Sequence, residues 1–225
     1  MRNFDQIPLI LASASPRRLD LLGRFWRQQA IHVMVPAFDE SRFETELDDV
    51  TGYDRENGRL LAQSLAQGKM DALLSQFSLP SEYVALTADT SVVLDNRVLG
   101  KPKDRRDALN MLRLLSGRTH QVITGLCVAA SSHEDKVCFT ASEVTHVLFA
   151  PLLDQQIQWY VDSGEPMDKA GAYAIQGLGA ALIRKINGCY YNVMGLPVNR
   201  LMALLQQVAG HFGSNPLFQH LLPWN

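Results

Sequence analysis

Residues 9–18 read Leu-Ile-Leu-Ala-Ser-Ala-Ser-Pro-Arg-Arg, and this stretch decides the fold prediction. The four apolar residues at its start are typical of a short buried strand. Ser15 and Pro16 then predict the start of a helix, because serine is a common N-cap and proline suits the first helical turn. A strand, a polar turn and a helix N-terminus in this order direct free backbone N–H groups and a partial positive charge into the turn.

The rest of the chain alternates between strand and helix patterns. Further strands are predicted at 31–35, 84–88, 119–129, 136–149, 181–186 and 189–193, with a hairpin at 91–99. Helices are predicted to begin at Arg17 and to cover 58–76, 103–116, 154–163 and 197–208. This alternation favours an α/β fold around a mixed sheet. Residues 210–225 have little periodicity and are predicted to form an extension on the surface.

Composition argues against several classes of protein. Hydrophobic residues make up 47% of the 225 residues, which is normal for a globular protein. The apolar run near the N-terminus is too short for a signal peptide, and no run approaches the ~20 residues of a membrane helix. We therefore predict a cytoplasmic protein that binds no membrane. A net charge of −2 argues against nucleic-acid binding, so an anion site must be a local cluster of lysine and arginine.

The cysteines and histidines do not predict a metal centre. Cys127, Cys138 and Cys189 have no CxxC spacing, and an odd, sparse set fits a reducing compartment better than a disulfide framework. We predict that their side chains are buried as small hydrophobic groups. The six histidines show neither HxxxH nor HExxH spacing, so the sequence does not predict a zinc site.

The polar turn is the first of four clusters at predicted element ends, where side chains can converge on a cleft. The hydroxyls of Ser13 and Ser15, free backbone donors and the guanidinium groups of Arg17 and Arg18 are suited to bind phosphate. Arginine offers two parallel donors to an oxyanion. From the residues alone, a capped helix with a solvated arginine pair is an equally good interpretation.

The second and third clusters add a carboxylate and two lysines. Asp89 and Thr90 are predicted to stand at the end of a buried strand, where a carboxylate can hold a divalent cation or accept a proton from water. Taken alone, an aspartate at this place is more commonly the cap of a turn. Gly100-Lys101-Pro102-Lys103 places lysines just beyond the predicted hairpin, although such a turn is a weak signal by itself.

The fourth cluster is the segment 163–179, which contains four glycines among charged residues. Glycine permits a close approach of the backbone to a ligand. Gln176 carries both a donor and an acceptor and is suited to read the edge of a base. Asp168 and Lys169 either pair with each other or leave Lys169 to reach the phosphates. The alternative for the whole segment is a flexible loop, which the mixture of charged residues makes less favourable.

Taken together, the four clusters resemble the Maf family of nucleotide pyrophosphatases. Residues 11–18 look like its N-terminal signature, and further blocks match in the family's order at 87–92, 99–102, 115–120, 163–179 and 191–197. The resemblance implies a two-lobed fold with an elongated mixed sheet flanked by helices and an active-site cleft between the lobes, similar to inosine-triphosphate pyrophosphatases. We therefore predict a single domain over residues 1–208 and a C-terminal extension over 209–225.

The resemblance also implies a role for each site residue. Asp89 is the implied catalytic base, and Glu40 and Asp89 are the implied ligands of a divalent cation, Mg²⁺ or Mn²⁺. Phosphate-binding and base-reading roles fall on the remaining positions: Ser13, Arg18, Lys69 and Lys101 for phosphate, and Arg17, Thr90 and Gln176 for the base.

The base-reading positions favour one branch of the family. The branch that acts on dTTP and UTP carries Pro-Arg-Arg and Ile-Gln-Gly, as residues 16–18 and 175–177 do here. The branch that acts on 7-methyl-GTP replaces the first arginine by an aromatic residue and the glutamine by an acid. The resemblance thus implies hydrolysis of dTTP or UTP to the monophosphate and pyrophosphate, and it is compatible with a homodimer. Two alternatives stay open: the same reaction on 7-methyl-GTP or another non-canonical nucleotide, and a nucleotide-binding regulator of cell division and septum formation with little turnover.

Overall fold

The computed structural model describes residues 7–26, 30–39, 55–133, 135–213, 215–219 and 221–223. Its strands are β1 (Leu9–Leu11), β2 (Ile31–Val33), β3 (Glu82–Leu94), β4 (Arg97–Leu99), β5 (Thr119–Ser132), β6 (Asp135–Phe149) and β7 (Ile183–Asn187). They form one seven-stranded sheet in the order β2-β1-β3-β5-β6-β7, and β4 pairs with β3. The pairs of β1 with β2 and β3 are parallel and the other pairs are antiparallel, so the sheet is mixed as predicted.

Helices and 3₁₀ turns surround this sheet. The helices are α1 (Pro16–Gly23), α2 (Arg55–Gln76), α3 (Arg105–Leu115), α4 (Asp154–Asp162), α5 (Tyr190–Val193), α6 (Val198–His211) and α7 (Pro216–Gln219). Three 3₁₀ turns, Glu165–Asp168, Ala170–Ala172 and Gly177–Leu182, lie between α4 and β7. The predicted α/β class is confirmed. Within the described part of the chain, no helix is both long and apolar enough to cross a bilayer.

The core divides at the two ends of the long strands, and this division produces two lobes. At one end, side chains of β1 and the first half of β3 pack with α1 and α6. At the other end, the second half of β3 packs with α3 and α4. Helix α2 crosses the opposite face of the sheet and packs against both ends. The predicted two-lobed arrangement is therefore confirmed, with β3, β5 and β6 shared between the lobes.

Several local predictions are wrong. Strand β3 is continuous from Glu82 to Leu94, so Asp89 and Thr90 lie within a strand and not at its end. An unbroken ladder to β5 runs along this whole stretch and leaves no place for a break. The predicted strand 189–193 is also wrong, because Tyr190–Val193 form helix α5 with Cys189 at its N-cap position. The buried side chain of Asn192 in this helix donates to the Val122 carbonyl and the Thr145 hydroxyl. Ser15 occupies the N-cap position of α1, but its side chain makes no capping hydrogen bond.

The C-terminal tail is not the surface extension that the sequence predicted. Phe212, Phe218, Leu221 and Leu222 are each at most 4% exposed and belong to the core beneath β1 and α6. The rings of Phe212 and Phe218 stack with their centroids 4.2 Å apart. The sequence pattern missed this packing because short turns contribute only one or two core residues each, too few to establish a period.

The cysteine prediction is correct for only one of three residues. Cys127 is buried, whereas Cys138 is exposed and Cys189 is half-buried, and all three are free thiols. The sulfur atoms of Cys127 and Cys138 lie 3.1 Å apart across β5 and β6, and both thiols contact Gln67 Oε1. The hydrogen bond with Cys127 holds the pKa of Cys138 below its ordinary value.

Candidate active site

The site lies at an interruption along one edge of β3. On this edge β1 pairs with residues 84–86 of β3, and β4 pairs with residues 92–94. Among the described strands, none pairs with residues 87–91 on this edge, whereas β5 covers the other edge throughout. Successive side chains of a strand point to opposite faces, so an open edge presents residues from both faces to one space. The interruption therefore accounts for a cleft between the lobes.

The cleft has a volume of about 700 Å³. It is bounded by the turn after β1, the middle of α2 and β3, the end of β4 and the loop before α6. Seven of the residues predicted from the sequence line it: Ser13, Arg17, Arg18, Lys69, Asp89, Thr90 and Lys101. Folding therefore brings together residues that are up to 88 positions apart in the chain, as Ser13 and Lys101 are.

Two predicted residues do not line this cleft. Gln176 is half-buried and lines a smaller adjoining pocket that shares Arg17 and Tyr173 with the cleft. Glu40 lies outside the described residues, so its role as a metal ligand stays a prediction.

Asp89 and Lys69 form an ion pair within the cleft. Lys69 Nζ lies 2.5 Å from Asp89 Oδ1, and the two side chains are only 16% and 11% exposed. The Lys69 ammonium also lies 5.9 Å from the centroid of the Phe38 ring, at a distance suited to a cation–π contact. The cleft thus contains a proton acceptor beside a fixed positive charge.

The close approach of α2 to the sheet determines where Lys69 lies. Asp89 is paired across the ladder with Gly125, so the Asp89 side chain points to the face that α2 covers. A Cβ atom at Gly125 would lie 1.9 Å from the Ala62 carbonyl oxygen, which means that only glycine permits this approach. The hydroxyl of Thr87 donates to the Ala66 carbonyl at 2.6 Å. These contacts hold α2 against the sheet beside the Asp89 carboxylate.

Arg18 connects three walls of the cleft. Its Nε donates to the Gly195 carbonyl at 2.8 Å, its Nη1 to Ser13 Oγ at 3.0 Å and its Nη2 to Thr90 Oγ1 at 3.1 Å. The guanidinium group is therefore held in one orientation before any anion binds. Arg18 and Thr90, predicted to contact different parts of a nucleotide, are direct neighbours in the structure.

Comparison with known proteins identifies the family. The family described as Maf-like protein matches residues 8–208 of this chain. The chain belongs to the Maf-like family.

Three curated relatives that are similar to this Maf-like chain carry the same name. A protein of Symbiobacterium thermophilum, named dTTP/UTP pyrophosphatase, is 48% identical over 201 residues, which cover 88% of this chain and 93% of that relative. Proteins with the same name from Clostridium botulinum strain Alaska E43 and Clostridium perfringens strain 13 are 40% and 41% identical. Each covers 88% of this chain, and the matches span 98% and 95% of those relatives.

Sequence reasoning did not assign a role to two polar residues of this Maf-like chain that lie behind Arg18. The hydroxyls of Thr90 and Thr124 are 3.0 Å apart, and Thr124 donates to the Asn192 carbonyl at 3.1 Å. Thr124 and Asn192 are both fully buried. In the sequence, Thr124 and Asn192 could have been noticed because each is a polar residue within an apolar run. Asn192 also lies in the block 191–197, which is part of the resemblance to the family.

Tyr173 is a third residue to which the sequence assigned no role. It lines both the cleft and the pocket of Gln176, and its hydroxyl lies 2.7 Å from His120 Nε2. Burial lowers the pKa of His120 to about 3 and raises the pKa of Tyr173. The pair is therefore uncharged at neutral pH, and it fixes the phenol ring between the two cavities.

Asp168 and Lys169 pair with each other on the wall of the cleft. Lys169 Nζ lies 2.5 Å from Asp168 Oδ1 and donates to the Glu165 carbonyl at 2.7 Å. The hydrogen bond from Lys169, together with the charges of Lys169 and Arg17, lowers the pKa of Asp168. Of the two arrangements that the sequence left open, the pairing of Asp168 with Lys169 is the one observed.

The carboxylates of Asp89 and Asp168 line the cleft. Among the described residues, no group of three or more His, Cys, Asp or Glu side chains is placed to hold a metal ion. Mg²⁺ is commonly bound through one or two carboxylates, with water and substrate phosphate oxygens as its other ligands. A structural or catalytic zinc ion needs at least three protein ligands. The Asp89 carboxylate could supply one oxygen ligand of the kind that Mg²⁺ takes.

Proposed function

We propose that this Maf-like protein hydrolyses dTTP and UTP to the nucleoside monophosphate and pyrophosphate. The observation that carries the proposal is the position of Asp89 in a cleft whose walls also hold Arg18, Lys69 and Lys101. The name shared by relatives that are 40–48% identical over 88% of the chain supports the choice of nucleotide.

The cationic side chains are suited to bind a triphosphate. Arg18 presents a planar guanidinium group that three hydrogen bonds already orient. Lys101 is exposed at the rim of the cleft and Lys69 is nearly buried inside it. Oriented charges in a site of restricted water stabilise the charge that develops on phosphate oxygens, and they need little reorganisation during the reaction.

The proposed reaction is the attack of water on the α-phosphorus. Asp89 accepts a proton from this water, the new oxygen–phosphorus bond forms, and the bond from the α-phosphorus to the bridging oxygen breaks. Pyrophosphate leaves with that oxygen. A bound triphosphate offers Lys69 a second anionic partner, which frees the carboxylate of Asp89 for proton transfer.

A divalent cation, Mg²⁺ or Mn²⁺, is part of this proposal. Asp89, together with Glu40, would supply its protein oxygen ligands. When bound, the cation supplies positive charge to the phosphate oxygens. The fit of a carboxylate cleft to a hard cation supports this assignment.

Base recognition is proposed for the part of the cleft that adjoins the pocket of Gln176. Arg17 and Gln176 line this pocket together, and Arg17 also lines the cleft in which the phosphates would lie. Thr90 lines the cleft and accepts a hydrogen bond from Arg18 Nη2, next to Arg17 in the chain. We propose that Arg17 and Gln176 contact the base directly and that Thr90 holds the neighbouring guanidinium group.

A panel of nucleoside triphosphates tests the proposal. The purified protein is incubated with dTTP, UTP, CTP, 7-methyl-GTP and dITP in the presence of Mg²⁺ or Mn²⁺, and pyrophosphate and orthophosphate are measured separately. Pyrophosphate release that is fastest with dTTP and UTP is expected. Faster release from 7-methyl-GTP would identify 7-methyl-GTP as the preferred substrate. Orthophosphate as the product would exclude attack at the α-phosphorus. Binding without release from any nucleotide would favour a regulator of cell division.

A further inference from the structure

Gln176 lies in a segment that neither a sheet nor an α-helix holds in place. The 3₁₀ turn Gly177–Leu182 begins directly after it, and Gln176 itself has extended backbone angles. The first N–H groups of a helical turn have no partner inside the turn and need an acceptor from elsewhere. The position of Gln176 therefore depends on the groups that bind the backbone on either side of it.

Glu165 binds the backbone on the C-terminal side of Gln176. Leu178 N donates to Glu165 Oε2 at 3.0 Å, and Gly179 N donates to Glu165 Oε1 at 3.1 Å. A carboxylate at the start of a helical turn makes charge-assisted hydrogen bonds that are stronger than those of a neutral acceptor. Glu165 thus acts as the cap of the turn that follows Gln176.

Tyr160 binds the backbone on the N-terminal side. Its hydroxyl accepts a hydrogen bond from Ala174 N at 3.1 Å and donates to Glu165 Oε1 at 2.9 Å. Tyr160 is fully buried, and burial raises its pKa, so the hydroxyl keeps the proton that it donates. The two side chains together form what we call the Glu165–Tyr160 clamp, which fixes both flanks of residues 175–177.

Two glycines permit the clamp to approach the backbone this closely. A Cβ atom at Gly177 would lie 2.5 Å from Glu165 Oε2, and Gly177 also has a φ of +69°. A Cβ atom at Gly179 would lie 2.2 Å from the Ala174 carbonyl oxygen and 2.7 Å from the Tyr160 hydroxyl oxygen. Gly177 and Gly179 therefore each leave room for a side chain of the clamp.

We propose that Glu165 and Tyr160 are positioning residues that set base selectivity by holding Gln176 against the nucleotide base. Neither residue is among the described side chains that line the cleft or the pocket of Gln176. Their effect therefore passes through the backbone of 174–179. This inference rests on the proposed function, because it assigns the selectivity of that same site.

Steady-state kinetics of Glu165→Ala and Tyr160→Phe test the clamp. The measured quantity is kcat/KM for UTP relative to CTP, two nucleotides that differ only at the edge of the base. We expect this ratio to change by about 3- to 10-fold in both variants, the effect of one weakened hydrogen bond. The change should arise mainly in KM, because Asp89 and the phosphate-binding residues keep their places. Glu165→Gln retains an acceptor oxygen and should restore part of the wild-type ratio.

Hydrogen exchange supplies a readout that does not depend on activity. The amides of Leu178 and Gly179 should exchange faster in Glu165→Ala, whereas those of β5 and β6 should keep their protection. Asp162→Asn is the matched control, since Asp162 is an exposed carboxylate that pairs with Arg105 close to the clamp. It should change neither the UTP/CTP ratio nor the exchange of the two amides.

The outcomes separate this inference from the proposed function. An unchanged UTP/CTP ratio in Glu165→Ala and Tyr160→Phe, in a protein where Gln176→Ala alters it, overturns the clamp as a determinant of selectivity. Unchanged exchange at Leu178 and Gly179 overturns the clamp as a structural device. A wild-type protein that releases no pyrophosphate from UTP refutes the proposed function and with it the role in selectivity. If Glu165→Ala does not fold, Tyr160→Phe, which removes a single oxygen atom, carries the same test.

Discussion

The Lys69 ammonium and the Asp89 carboxylate lie 2.5 Å apart, although 20 residues separate them in the chain. The pair depends on Gly125, the interstrand partner of Asp89, because a side chain at that position would clash with Ala62 of α2. A charged acceptor and a charged donor are thereby held together in a cleft with little exposure to water. In the proposed reaction, a bound phosphate engages Lys69 and leaves the Asp89 carboxylate to accept the proton.

Replacement of the proposed base tests the role of Asp89. Asp89→Asn keeps the size of the side chain but removes its ability to accept a proton. We expect the rate of pyrophosphate release from dTTP to fall by about 10²- to 10⁴-fold, the usual contribution of a general base. Nucleotide binding, measured by calorimetry, should remain detectable.

Asp95→Asn is the control for that substitution. Asp95 follows the same strand, is exposed and pairs with Arg118 outside the cleft. Turnover of this variant should match the wild type. Wild-type turnover in Asp89→Asn would instead show that another group activates the water.

The charge of residue 176 should decide the preferred base. Gln176→Glu removes the amide donor and adds a negative charge in the pocket that Arg17 shares. We expect kcat/KM to fall more for dTTP and UTP than for 7-methyl-GTP in the triphosphate panel. Gln206→Glu, at an exposed position of α6, should leave the order of substrates unchanged. An equal decrease in kcat/KM for every nucleotide would show that Gln176 does not recognise the base.

Close contact between α2 and the sheet predicts a severe effect of Gly125→Ala. The added methyl group would meet the Ala62 carbonyl at 1.9 Å, so the helix that carries Lys69 must move. We expect a loss of about 1–3 kcal/mol in the free energy of unfolding, as for other overpacked cores, together with reduced turnover. Gly210→Ala in α6 has no atom within 4 Å of the new Cβ and should not destabilise the protein. Chemical denaturation of both variants measures the difference, and equal stabilities would refute the tight contact.

The tail should contribute to the stability of the whole domain. Phe218 is fully buried against Phe212, so Phe218→Ala should lower the free energy of unfolding by about 3–5 kcal/mol. Phe25→Ala provides the comparison, because the Phe25 side chain is 36% exposed. Denaturant titration should show a clearly smaller loss for Phe25→Ala. Comparable losses would mean that the tail is not part of the core in solution.

His120 should make stability depend on pH. Burial lowers its pKa to about 3 from an ordinary value of 6.5, so the unfolded chain binds this proton at a higher pH than the folded protein does. The free energy of unfolding should therefore decrease as the pH falls from about 6.5 to about 3, by at most about 1.4 kcal/mol per pH unit.

A neutral substitution isolates that contribution. In His120→Gln the decrease with falling pH should be less steep across the same range, while the exposed His32→Gln keeps the wild-type slope. Thermal or denaturant unfolding at several pH values measures the slopes. Identical slopes for His120→Gln and the wild type would show that His120 gains its proton without unfolding.

The residues of the candidate site illustrate how far the sequence could go. Ser13, Arg18 and Lys101 could be selected because phosphate chemistry requires hydroxyls and fixed cations, and all three line the cleft. Glu165 and Tyr160 could not be selected, since nothing in their sequence context indicates that they bind the backbone around Gln176. Their importance depends on distances between segments, which the order of residues does not contain.

The sequence by itself determined the α/β class, the family and the types of side chain available for chemistry. These properties follow from local periodicity and from residue identity, and both can be read from the sequence alone. Only the tertiary structure decided that β3 continues past Asp89, that the space between β1 and β4 forms the cleft, and that the tail joins the core. Each of these depends on contacts between residues far apart in the chain, where packing and strand pairing outweigh local preference.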